Sequence, residues 1–458
     1  YGSNFILRSF FIASFSKNIF HGFLFLLVSL ISCDDHLKDV GMEVIDRGTS
    51  TGTFKTDTLY ADDIERIASF VDSISTYNSS RLYLGSVDNY DFRILMRFAF
   101  PSDYITDPSG ELINLDSLII VKTRLQLVAS DAFGSAGSIN AHIHTVQTPW
   151  SELDLLWHKF QQGTDYSPNS IGTINFSKLN DKDSLEITLN KDSVVQWVKA
   201  RNDTSTINPK TNNGIIIDFD GGAPFTQQFY SGNNTIITIN GTIIDFDLVP
   251  RIEVEYVYLR DKNGDGDYED PDDKNYRSTF YVSPVFISGV YNGGYHGYVY
   301  RDRNPQALNS ITVGGGVPYR SLIRFNTDKL PSDLTINSAV LVLKTEASGN
   351  YFRNSSDSIN IQAMASTVDT SLWKPGYIEQ TTTNSRTDNI RDDTLKLNIS
   401  SFVQDWATQP NHNNGLVLMN YNIFNGNFNP LYRVRFYNNP SDRDNSPKII
   451  IYYTQSPQ

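Results

Sequence analysis

Apolar and polar residues alternate along most of the chain in short runs, and each run stops at Gly, Asn, Asp or Pro. Leu185, Ile187 and Leu189 fall on one face of such a run, as do Leu395, Leu397 and Ile399. In an extended chain, side chains two apart point the same way, so this spacing predicts half-buried strands. The run from Arg81 alternates and stops at Gly85, and residues 139–146 alternate over a longer stretch. Two stretches break the period. Residues 193–197 and 401–406 each predict a helical turn ending on a tryptophan, Trp197 and Trp406. An Asn-Asn-Gly turn follows each, then an apolar strand at residues 215–217 and 416–418.

The recurrence extends to the rest of the chain. Arg93, Leu95, Arg97 and Phe98 match Arg320, Leu322, Arg324 and Phe325 letter for letter, at an offset of 320 − 93 = 227. Alternation places Leu95 on the same face as Arg93 and Arg97, an awkward pattern for a strand with one wet face. The arginines are expected to pair with carboxylates in a structural role. Asp116 and Asn337 each open a β-rich run, and Pro250 and Pro447 each lead a closing strand. All five tryptophans (Trp150, Trp157, Trp197, Trp373 and Trp406) fall inside the repeated motifs, which predicts core positions. Many short strands with turn residues at short intervals predict an all-β chain of two tandem jelly-roll-like antiparallel β-sandwiches.

Composition refines the picture. At 458 residues the chain exceeds one core. A net charge of −13 argues against nucleic acid and against polybasic membrane docking. With a single cysteine there is no intramolecular disulfide. Residues 23–31 are apolar except for Ser29, with Arg8 and Lys17 upstream, which suits a signal-peptide core rather than a spanning helix. They run into Leu30-Ile31-Ser32-Cys33, similar to a bacterial lipobox. That resemblance implies cleavage before Cys33, diacylation of its thiol, and an outer-membrane or cell-surface lipoprotein whose only membrane attachment is the lipid. The expected organisation is a signal peptide at 1–32, lipidated Cys33 and a tether to 55, a module at 56–260, an acidic linker at 261–283, and a module at 284–458.

Each half resembles the DNRLRE-type module, a secreted β-sandwich akin to carbohydrate-binding modules. The resemblance rests on the Leu-x-Leu-Gly strand ending at Gly85 and on the Arg-x-Leu-x-Arg-Phe strand. It also rests on the Trp150-Ser151-Glu152…Trp157 box, the helical turn ending in Trp, the Asn-Gly-apolar strand and the Pro-led closing strand. The second copy lacks the full Trp-Ser-Glu box. The family implies a jelly-roll sandwich, surface location and non-catalytic attachment, often to polysaccharide.

Two stretches carry candidate chemistry. Residues 261–273 present Asp261, Asn263 and Asp265, a glycine at 266, Asp267, Glu269 and Asp272. Hard oxygens at this spacing around a glycine bend suit a structural Ca²⁺ that stiffens the joint between modules. Residues 252–259 alternate as a strand, so the flanks are not those of an EF-hand. The second stretch holds Tyr291, Tyr295, Tyr298 and Tyr300 among glycines, and Phe428 and Tyr432 lie in a similar loop. Flat aromatic faces beside Asn suit stacking on sugar rings; a plain Gly-rich hairpin is the alternative. His142 and His144 share a face but have no evident third metal ligand. The expected function is non-catalytic binding of glycan or extracellular matrix at the cell surface. A structural or protein-interaction scaffold is the alternative, and a glycan-processing enzyme a remote one.

Overall fold

The computed structural model describes residues 53–71, 76, 77, 79–98, 100, 101, 104–106, 110, 112–151, 154–200, 212–231, 248–260, 274–284, 295–304, 310–331, 334–346, 350, 359–368, 381–420 and 431–455. The chain is mostly β, in several antiparallel sheets. Residues 56–453 form one compact unit. The other unit is described only where its segments, 1–55 and 454–458, hold strand ends at residues 53–55 and 454–455.

The first strands are β1 (Thr53–Leu59), β2 (Ile64–Val71), β3 (Arg81–Val87) and β4 (Tyr90–Arg97). A small hairpin follows, β5 (Tyr104–Thr106) and β6 (Leu112–Asn114), then the long β7 (Ile119–Gly134) and β8 (Ser138–Val146). Next come β9 (Tyr166–Ser177), β10 (Ser184–Thr188), helix α1 (Lys191–Ala200), β11 (Ile215–Phe219) and β12 (Phe225–Tyr230). The middle of the chain gives β13 (Arg251–Arg260), β14 (Lys274–Val282) and β15 (Tyr295–Asp302). The second half holds β16 (Ile311–Gly315), β17 (Tyr319–Phe325), β18 (Leu334–Lys344), β19 (Asn360–Ser366) and β20 (Thr381–Asn389). It closes with β21 (Thr394–Asn398), α2 (Ser400–Thr408), β22 (Leu416–Asn420), β23 (Tyr432–Phe436) and β24 (Lys448–Gln455).

The repeat read from the sequence is present in the strand order. One set of strands runs β14-β13-β7-β10, and its counterpart runs β1-β24-β18-β21. A second set runs β15-β4-β11-β8-β9, matched by β2-β17-β22-β19-β20. The pairs β3-β12 and β16-β23 also correspond. In the first half, β7 is long enough to serve two sets: its start pairs with β13 and its end with β12, which merges them into one 11-stranded sheet.

The pairing does not follow the order of the repeat. β1 and β2 open the first half of the sequence, yet β2 pairs with β17 along seven residues and β1 with β24. β14 and β15 instead complete the first half, β14 on β13 and β15 on β4. Each half thus lends its opening strands to the other. Leu59, with half-buried Ile64 and Ile67, packs into the second core, and Val282, with half-buried Tyr276 and Phe280, into the first. Residues 261–273 connect β13 to β14, whose register joins Arg260 to Lys274. β13 and β14, on either side of them, are neighbours in one sheet.

The helical stretches act as the sequence predicts. Trp406 is 1% exposed and stacks on Phe402, and Trp197 packs by Phe100. Both helices are pinned in the same way: the Leu189 N–H donates to Thr123 O at 3.0 Å, and the Ile399 N–H to Ala339 O at 2.8 Å. The Asn-Asn-Gly turns are also shared. Gly214 and Gly415 both have φ of +89°, and a Cβ on Gly214 would lie 2.1 Å from Met96 O. Only glycine meets both the left-handed backbone and the close approach.

The awkward face of β4 is explained by a second apolar layer. Ile94 and Met96 enter the main core, while Leu95 faces Trp150, Leu155, Phe160 and Ile216 on the opposite side. The strand is covered on both faces.

The exchange predicts which fragments fold. Residues 76–304, which retain β14 and β15, are expected to melt cooperatively and well above residues 56–283, which follow the repeat boundaries but lack β15. Circular dichroism melts of the two fragments check this; equal stability would contradict the pairing.

Candidate functional site

The outer face of β15, β4, β11 and β8 carries a connected set of polar and aromatic side chains. Register sets its layout. Val299 lies opposite Arg93, Leu95 opposite Ile216, Ile216 opposite His144, and Asp218 opposite His142. Leu95, Ile216 and Val299 lie under the Trp150 layer. The Trp150 indole N–H fixes that layer by donating to Asn213 O at 2.7 Å. Beyond it the face turns polar.

Arg93 is the centre of the polar part. Its Nε lies 2.7 Å from Asp218 Oδ1, with both side chains largely buried. The Tyr166 hydroxyl donates to the other Asp218 oxygen at 2.8 Å. Burial, and then the Asp218 charge, raise the Tyr166 pKa, so this phenol stays a donor. The next pair on the face is Arg301 and Asp91, at 2.9 Å, and Arg303 reaches the second Asp91 oxygen at 3.4 Å. Asn140 and His142 both hold Asp220, at 2.6 and 3.1 Å, and the Asn140 hydrogen bond leads in lowering its pKa.

Trp157 lies over these arginines. The guanidinium carbon of Arg93 is 3.9 Å from its ring and that of Arg301 is 4.6 Å away. Such contacts contribute about 0.5–2 kcal/mol each, depending on solvent exposure. Trp150, Trp197 and Trp406 are buried, whereas Trp157 is half-buried at the head of a short 3₁₀ turn between buried Leu155 and Phe160. Trp373 lies outside the described residues. The face thus brings together an indole, two guanidinium groups and carboxylates, of which Asp220 is 67% exposed. Alternating donors and acceptors beside an aromatic ring can bind vicinal hydroxyl groups. The sequence contained one signal for this face: the full Trp-Ser-Glu box occurs only in the first copy.

Two of the aromatic residues expected to meet sugar, Tyr298 and Tyr432, are buried. Tyr298 is fully buried, and its hydroxyl donates to Gly316 O across the two halves. Tyr300 is half-buried beside Tyr90 and Phe92, and Tyr432 is 5% exposed. Tyr298 and Tyr432 therefore offer no ring face to solvent. Tyr295 opens β15 opposite Arg97. Tyr298 belongs to an aromatic seam with Tyr83, Tyr90, Phe92, Tyr319 and Leu431. Polar contacts hold that seam: Tyr319 donates to the Tyr90 hydroxyl at 2.7 Å, and the Leu431 N–H to Gln228 at 3.3 Å.

Tyr291, Phe428 and Cys33 lie outside the described residues, as do Asp261, Asn263, Asp265, Asp267, Glu269 and Asp272. Among the described residues no group of three or more His, Cys, Asp or Glu is placed to hold a metal. No helix among them is long and apolar enough to cross a membrane.

No protein-family model matches the chain, and no curated protein matches it. Among solved structures, the VP2 subviral particle of infectious bursal disease virus aligns with 10% identity, covering 89% of this chain and 78% of that one, at a TM-score of 0.10. A mutant VP2 of the same virus in T=1 particles aligns with 10% identity over 88% and 78%, at 0.09. Likeness at this level carries no argument.

β15 also places a buried titratable group. His296 is 2% exposed, and burial lowers its pKa from 6.5 to about 4. Burial also lowers that of His144. The unfolded chain takes up these protons first, so stability is complete above pH 6.5 and falls with acidification toward pH 4. His296 alone is expected to cost roughly 2 kcal/mol between pH 6.5 and about pH 5. Denaturant titrations across this range should show a shallower pH slope in His296→Leu; an unchanged slope would mean the imidazole is not held neutral.

Proposed function

We propose that the protein is a non-catalytic, lipid-anchored surface protein of a bacterium that binds glycan through the outer face of its first half. The observation that carries this reading is Trp157, a half-buried indole set against Arg93 and Arg301 beside the Asp218 and Asp220 carboxylates. Amphipathic rings with adjacent fixed hydrogen-bonding groups are the usual composition of a polyhydroxylated-ligand site. The fold proposed with it is a pair of jelly-roll sandwiches of the DNRLRE type, each completed by strands of the other. The matching strand orders of the two halves support this.

A scaffold role has an observation of its own. The exchange of β2 and β15, with the aromatic seam between them, couples the two halves into one compact unit. A rigid body of this kind suits a spacer in a surface assembly. Attachment through lipidated Cys33 serves either reading.

Binding of the purified chain to a panel of immobilised bacterial and plant polysaccharides tests the glycan reading. The wild type is expected to retain a subset in high salt, with binding by Trp157→Ala weakened at least tenfold while the variant stays folded and melts somewhat lower, as the loss of its contacts with Arg93 and Arg301 requires. Absence of binding to any polysaccharide, with recovery of a stoichiometric surface-protein partner, would favour the scaffold.

Ca²⁺ is proposed to bind residues 261–273, which connect the paired strands β13 and β14. Millimolar Ca²⁺ is expected to raise the melting temperature relative to EDTA, and the joint substitution of Asp261, Asp265 and Asp267 by Asn to remove the difference. Equal melting temperatures in Ca²⁺ and EDTA would reject the metal.

A further inference from the structure

A cleft of about 160 Å³ opens where the two halves meet, at the edge of the aromatic seam. Its volume corresponds to about five water molecules at liquid density. The tip of the β3–β4 hairpin brings Asp88 and Tyr90, and the end of β15 brings Asp302. The second half adds Tyr319, Arg433 and Arg435, and the end of β2 closes one side. Both exchanged strands thus finish in its wall.

Its chemistry is balanced. Two carboxylates face two guanidinium groups, in a protein whose overall charge is −13. Arg433 pairs with Asp88 at 2.8 Å. Tyr319 donates to Tyr90 at 2.7 Å, and Tyr90 donates to Asp302 at 3.1 Å, a relay that ends on a carboxylate. Burial and the mutual contact raise the Tyr90 pKa, so the phenols remain protonated. Asp88 has φ at +50°, as the two-residue turn between β3 and β4 requires, which fixes its carboxylate at the rim. A site without net charge, rich in paired donors and acceptors and floored by phenol rings, selects neither an anion nor a cation. It matches the vicinal hydroxyl groups of a single pyranose ring.

We infer that the cleft between the two halves, lined by Asp88, Tyr90, Asp302, Tyr319, Arg433 and Arg435, is a binding site for one neutral sugar residue. It shares with the Trp157 proposal only the class of ligand. Because both halves form its wall, the bound sugar stabilises their junction.

Saturation-transfer NMR and thermal-shift measurements on the full chain test this. The probes are free D-glucose, D-galactose, D-mannose and N-acetyl-D-glucosamine at millimolar concentration. Asn89 is exposed at the mouth of the cleft, so Asn89→Trp plugs it without entering the core. At least one sugar is expected to bind and raise the melting temperature. Its affinity should fall at least tenfold in Asn89→Trp and stay unchanged in Trp157→Ala, with Asn89→Trp melting at the wild-type temperature in the absence of sugar. Loss of binding only in Trp157→Ala would overturn the cleft and leave the Trp157 face standing. Absence of binding by every sugar would overturn the cleft regardless of the polysaccharide result.

Discussion

The structure depends on two ladders of backbone hydrogen bonds, β2 on β17 and β15 on β4. Each is formed by a strand whose sequence neighbours belong to the other half. A sheet edge that loses its partner exposes a row of N–H and C=O groups, and its apolar face loses cover. Side chains reinforce both ladders. The Ser69 hydroxyl meets Ser321 at 2.5 Å and also bonds Ser310 O, in a buried hydroxyl cluster with Thr312. Thr76 clamps β15 by bonding both the N–H and the C=O of Tyr298. Neither half closes without the other.

The consequences for the surface follow from β15, because its two faces do different work. Tyr298 points into the seam between the halves, while Val299 lies in the Trp150 layer and Arg301 approaches Trp157. One strand thus positions both the proposed glycan face and, through Asp302, the junction cleft. The charged ladder across β10, β7 and β13, with Arg124 between Glu186 and Glu253, is more exposed and adds little stability. The rigidity comes from the ladders and the buried rings.

Much of this was legible in the sequence, and the limits have a physical origin. Alternation identifies which face of a strand is buried, and the repeated Arg-x-Leu-x-Arg-Phe string located β4 and β17 correctly. The helical turns ending in Trp197 and Trp406 were recognisable as core staples. Arg93 pairs with Asp218, and Arg324 with Glu65 at 3.0 Å, the structural role expected of these arginines. Strand partners were not legible, because period-two alternation is the same whichever chain segment lies alongside. Hence the exchange was invisible, and so was the pairing of β13 with β14 on either side of residues 261–273. The tyrosines of β15 looked like a surface because they recur in a Gly-rich stretch. The second half covers the face of that strand that carries Tyr298, which buries it. Five tryptophans looked alike, and only the two arginines beneath Trp157 set it apart.

Amide hydrogen–deuterium exchange on the intact chain tests the strand exchange most directly. The amides of β2 that face β17, and those of β15 that face β4, are predicted to be protected as strongly as those of β11 and β22, and to open together with them in denaturant. Rapid exchange in β2 or β15 while β11 and β22 stay protected would contradict it.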